Sequence, residues 1–129
     1  MSVQQDDFRD YCIELFASLV PGAGVAGIAA KRMFGGTGFS IDGKTFAIIA
    51  MDQLWLKVDD VSRSKFEQAG CQIFTYDMAG KQRSMSYYTV PDDAMESAAL
   101  MAPWAERAWG AALRAVKKST KKTSKTKPK

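Results

Sequence analysis

The stretch GFSIDGKTFAIIAM, residues 38–51, admits two readings, and the choice decides the fold. Residues 38–45 match Gly, any four residues, Gly, Lys, Thr, the spacing of a phosphate-binding loop. Such a loop must follow a strand and open a helix whose N-terminus faces the phosphates. After Lys44 comes TFAIIAM, a short, β-branched, apolar run bounded by turn signals. Asp42-Gly43 is a favoured pair for a two-residue type I′ hairpin, because both residues tolerate positive φ. The stretch therefore reads as two strand ends around a tight turn, with Lys44 facing solvent beside it. Parallel neighbours would need a crossover of roughly a dozen residues, so the sheet begun here is antiparallel.

Upstream of the hairpin, KRMFGGTGFSI, residues 31–41, reads as one aromatic, glycine-interrupted strand, bent or bulged. Downstream, LWLKV, residues 54–58, alternates, placing Leu54, Leu56 and Val58 on one face. A turn is expected at Asp52-Gln53. Asp59-Asp60 then caps a short helix through Phe66, and Gly70 stands where a left-handed residue ends it. QIFTYD (72–77) and RSMSYYT (83–89) read as two further strands joined around Ala79-Gly80-Lys81.

Helices bracket this sheet. Phe8, Tyr11, Cys12, Leu15, Phe16 and Leu19 recur at helical period, with Asp6 and Asp7 before them as caps and Pro21-Gly22 as a stop. Pro91-Asp92-Asp93 opens a helix toward Met101. Pro103 suits the first turn of a last helix, whose face is Ala105, Ala108, Trp109, Ala112, Leu113 and Val116. The expected order is α-βββ-α-ββ-α-α, a two-layer α+β fold with helices on one face of an antiparallel sheet. GAGVAG, residues 22–27, spells a dinucleotide fingerprint, but it follows a helix and precedes a strand, so a plain connection is the better reading.

Bulk composition narrows the function. With 129 residues, the chain holds one domain, placed at residues 1–116, and a tail at 117–129 expected to be disordered. It contains no histidine and only two cysteines, Cys12 and Cys71, in no metal-binding spacing. Both thiols are expected to be buried and structural. Nucleophile–histidine catalysis is excluded, and neither a cofactor nor a metal is expected. The N-terminus lacks a signal peptide, and no apolar run approaches the ~20 residues of a membrane span, so the expected location is the cytoplasm. Seven of the 18 basic residues are Lys117, Lys118, Lys121, Lys122, Lys125, Lys127 and Lys129. Residues 1–116 thus hold 11 bases against 14 acids, a charge of −3, and any attraction to polyanions is expected in the tail. Its lysines could contact DNA phosphates non-specifically, with no aromatic to stack a base.

The segment KRMFGGTGFSIDGKTFAIIAMDQLWLKVDD, together with SYYTVPDD and Trp104-Ala105, resembles the N-terminal domain of the TfoX/Sxy family. The likeness extends over roughly residues 8–115, judged by element order. It implies a secretion-chaperone-like α+β fold and a non-enzymatic role in transcription regulation of natural competence, through a protein partner such as a transcription factor. The two-domain members of the family carry a further helical C-terminal domain, in whose place this chain has the lysine tail. Partner-binding candidates are Arg32, Met33, Phe34, Gly35 and Gly36, where glycines permit close backbone approach. Tyr87 and Tyr88 join them: adjacent strand residues point to opposite faces, so one is expected in the core and the other exposed. Trp55 is a further candidate for an interface. A two-fold homodimer accords with base rates for oligomers. The paired aspartates at 6–7, 59–60 and 92–93 fall at expected helix starts, which accounts for them as caps.

Overall fold

The computed structural model describes residues 2–20, 27–33 and 36–126, with side chains from residue 7 to 115 apart from Met33 and Met78. Six antiparallel strands form one sheet: β1 (Ala29–Met33), β2 (Gly36–Ile41), β3 (Lys44–Ala50), β4 (Gln53–Lys57), β5 (Ile73–Met78) and β6 (Lys81–Tyr88). Their order across the sheet is β1-β2-β3-β4-β6-β5. Three helices, α1 (Ser2–Leu15), α2 (Arg63–Gln68) and α3 (Ala98–Thr126), pack on one face. The α+β architecture is the one expected from the pattern.

The 38–51 stretch settles into strand, turn, strand. Ile41 pairs with Lys44, and Asp42 and Gly43 take φ of 53° and 77°, the paired positive values of a type I′ turn. No helix follows Lys44, so the phosphate-loop geometry is not formed. GAGVAG lies outside the described residues apart from Gly27, and β1 begins two residues later.

Several elements differ from the expected ones. The 31–41 stretch is two strands rather than one, since Met33 pairs with Gly36 across residues 34–35. A bulge does occur, but within the β2–β3 pairing at Phe39/Ser40, and it leaves Phe46 and Ala47 both buried. The β3–β4 turn is Met51-Asp52, one residue early, with φ of 54° and 59°. Asp6 and Asp7 lie inside α1 rather than ahead of it, because the helix starts at Ser2. The expected helix after Pro91 is a 3-10 turn, Asp92–Glu96, and α3 then runs unbroken through Pro103. Ser97 caps α3 by accepting from the Leu100 N–H at 3.2 Å. Pro103 withholds one helical N–H at an exposed position, where water can serve the freed carbonyl. The helical backbone continues to Thr126, into the stretch for which disorder was expected.

The core lies between helices and sheet. Cys12, Leu15 and Phe16 of α1 meet Phe39, Phe46, Leu54 and Leu56, and Phe16 stands edge-on to Phe39 and Phe46 at 5.5 and 4.9 Å. α3 approaches the sheet through Met101, Ala105, Ala108 and Ala112, whose mostly small side chains allow close contact. Leu113, expected on that face, is exposed, and Ala111 is buried instead. α2 ends as expected at Gly70 (φ 81°). The Gly70 N–H bonds the Glu67 carbonyl and the Cys71 N–H bonds that of Phe66, both at 3.0 Å, a complete Schellman motif.

Candidate functional site

The sheet alternates strictly enough for one strand to serve two surfaces. In β4, Leu54 and Leu56 enter the helix-side core, while Trp55 and Lys57 point to the side that no described helix covers. A row of cross-strand partners, Lys31, Gly38, Ile48 and Trp55, runs over this open face. Trp55, Phe74 and Tyr87 form its centre, with Ile48, Ala50 and Tyr76 packed against them. Trp55 and Phe74 meet edge-to-face at 4.7 Å, and the Trp55 Nε1–H donates to the Ala50 carbonyl at 3.1 Å. The Lys57 ammonium lies 5.4 Å from the centre of the Tyr87 ring.

Tyr87 and Tyr88 do take opposite faces, but neither is exposed. Tyr88 sits in the core beside Phe66 and donates its hydroxyl to Glu67 Oε2 at 2.9 Å. Burial raises its pKa first, and the Glu67 carboxylate raises it further. Tyr87 is 8% exposed on the open face, packed with Trp55 and beneath Lys57, and its hydroxyl pKa is also raised by burial. Arg32 is exposed at the β1 edge on the helix side of the sheet. The Met33 side chain, Phe34 and Gly35 lie outside the described residues. A Cβ on Gly36 would stand 2.0 Å from the Ile49 carbonyl oxygen, so the close approach this glycine permits is to β3 of the same chain. The seven tail lysines have no described side chains.

A second constellation joins the end of β4 to α3. Asp59 takes Arg114 by two oxygens, at 2.6 Å from Nε and 3.0 Å from Nη2. The same carboxylate accepts from the Ser62 N–H and hydroxyl, both at 3.1 Å. The Arg114 hydrogen bond, with help from Ser62, holds the Asp59 pKa down at about 2. Asp59 thus anchors α3 and caps the turn that leads into α2: its carboxylate accepts from the Ser62 N–H while the Asp59 N–H donates to Ser62 Oγ at 3.2 Å, although α2 itself begins only at Arg63. Asp60 pairs with Arg63. Beside the Asp59–Arg114 pair is a cleft of about 220 Å³, bordered by Lys57, Ser86 and Ala111. This pairing joins residues 55 apart, and no local spacing announces it.

Neither thiol is shifted toward its reactive thiolate form. Burial pushes Cys12 up to about 12 and raises Cys71, which is half-buried. Among the described residues no cluster of three or more metal-ligating side chains occurs, and no buried side-chain nitrogen or oxygen lacks a partner. No described helix is long and apolar enough to cross a membrane.

Fold and surface together define a small α+β module with one helix-covered sheet face and one that no described helix covers. The family model described as the TfoX N-terminal domain matches residues 22–112, and the chain belongs to that family. α1 lies ahead of the matched residues. No curated protein matches the chain.

Proposed function

We propose that the protein is a non-enzymatic regulatory adaptor that works by binding another protein. The TfoX N-terminal domain is a regulatory, competence-type domain, and the family is not known as enzymatic. The observation that carries the reading is the open sheet face, where, among the described residues, three large aromatics are packed by strands alone. Beside these rings Met85 is exposed and Tyr76 half-buried, so the same face offers apolar surface to a partner. Arg32, at the β1 edge, and the segment 33–36 that follows it are a second proposed contact for the partner, reached around the sheet edge rather than on the open face.

Affinity capture with the full chain tests this. A specific protein should remain bound at about 0.15 M salt, where exposed charges more than ~8 Å apart are largely screened. Phe34→Ala should weaken that capture without lowering the melting temperature. Retention of no protein at that salt overturns the adaptor reading.

A second reading is non-specific nucleic-acid association through the acid-free stretch that holds seven lysines. It requires an affinity that falls steeply with salt and disappears when residues 117–129 are removed.

A further inference from the structure

The six strands hold six basic residues and one acid, Asp77, whereas the rest of residues 1–116 holds five bases and 13 acids. The mildly acidic body is therefore the sum of a basic sheet and a strongly acidic remainder. Register divides the sheet further. Asp77 pairs with Gln82 and alternates with Tyr76, which packs on Phe74, so it falls on the helix side. Lys31 and Lys57 fall on the open side. Arg83, opposite Tyr76, and Lys81, two residues before it, fall there too. No strand position on the open face is Asp or Glu.

Resting on the adaptor reading, we infer that the open face docks an acidic, partly apolar segment of a partner protein. The rings decide between partners. Trp55, Phe74 and Tyr87 are 7%, 9% and 8% exposed, packed against one another, so none presents a free face on which a base could stack. What a ligand meets is an apolar floor of Met85, 40% exposed, with the half-buried Tyr76, Ile48 and Ala50, and cations around it. A second copy docked face to face would set these cations against their own kind with no carboxylate between them. A chain alternating carboxylates with apolar side chains satisfies both the floor and the rim.

The test is fluorescence anisotropy with the full-length protein. The probe is a labelled peptide of about a dozen residues alternating Asp or Glu with Leu or Phe. Its control replaces every acid with Asn or Gln. The acidic peptide should bind, weaken with added salt and exceed the control. Lys31→Glu/Lys57→Glu/Arg83→Glu should lower its affinity about tenfold or more, and the corresponding glutamine variant about threefold. Lys65→Glu on α2 should change it less than about twofold.

Equal binding of the amide control, or equal binding by the triple variant, overturns the inference; the latter would place the peptide on the lysine tail. A single-stranded oligonucleotide of similar length that binds more tightly, with the triple variant losing that binding, assigns the face to nucleic acid instead. Concentration-dependent dimers abolished by the triple variant assign it to self-association. If the partner from affinity capture is held equally by the triple variant, the adaptor reading stands and this inference falls. If the unmodified chain captures nothing, both fall.

Discussion

The two faces of the sheet are built from the same strands and do different work. On the helix side, side chains from every layer interlock around Phe16, which is fully buried. On the open side, among the described residues, strands alone pack against Trp55, Phe74 and Tyr87, with cations beyond them. Burial alone does not separate the two, since Trp55 and Leu54 are both buried. The difference lies in what happens when a side chain is removed. A void between helices and sheet is enclosed on all sides; a gap on the open face fills with water.

That contrast predicts the largest effect. Phe16→Ala should destabilise by about 3–5 kcal/mol, the transfer cost plus the cost of a cavity that cannot collapse. Urea denaturation measures it, and a loss under ~1 kcal/mol would mean that α1 is not part of the core. Trp55→Ala removes a larger side chain, yet should cost only about 2 kcal/mol, the transfer cost without an enclosed void. Equal losses for the two variants would break the comparison.

Asp59 and Arg114 sit at the seam, where β4 leaves the sheet and meets α3. The pair is partly exposed, at 24% for Asp59 and 42% for Arg114, so solvent screening reduces its strength. Asp59→Asn should cost about 1 kcal/mol at neutral pH. The Asp59 pKa is lowered to about 2 in the folded protein, below the 3.8 of a free aspartate. The stabilisation is therefore fully present above pH ~4 and lost as pH falls toward ~2. The gap between wild type and Asp59→Asn in chemical denaturation should close over that window, and a gap unchanged at pH ~2 would show that the carboxylate charge is not what holds α3.

What was legible in the sequence tracks how local its physics is. Asp42-Gly43 and Gly70 were readable because each satisfies a backbone demand within four residues. The alternation of 54–58 was readable because periodicity is local as well; so was the buried face at Cys12, Leu15 and Phe16, although Tyr11 on that face is exposed and the helix ends at Leu15, giving way to a 3-10 turn at Ala17–Leu19. The β1–β2 hairpin was not, because the glycines at 35–36 fit a bend within one strand as well as a reversal between two, and only the Met33–Gly36 pairing decides. The run through Pro103 was obscured for another reason: a helix tolerates proline where the freed carbonyl reaches water. Most of the open face was hidden altogether. Phe74 meets Trp55 only after β6 inserts between β4 and β5, an order no hairpin rule supplies. The basic character of the face is hidden in the net charge of residues 1–116, because the acids outside the strands outweigh the strand cations.

The smallest expected effect sharpens the comparison most. Met85 pairs with Phe74 on the open face and is 40% exposed, unlike the fully buried Met101 of α3. Met85→Ser should change stability by less than about 0.5 kcal/mol, because its removal leaves no cavity and little area returns to water. It should nevertheless weaken the acidic peptide about threefold, since it removes part of the apolar floor that peptide covers. Paired thermal melts and anisotropy titrations on the same variant read both quantities. A stability loss with unchanged peptide affinity would make Met85 a packing residue and return the open face to structure. A binding loss with unchanged stability marks side chains that the fold does not need and a partner does, and that separation is what distinguishes an interaction surface from the outer side of a core.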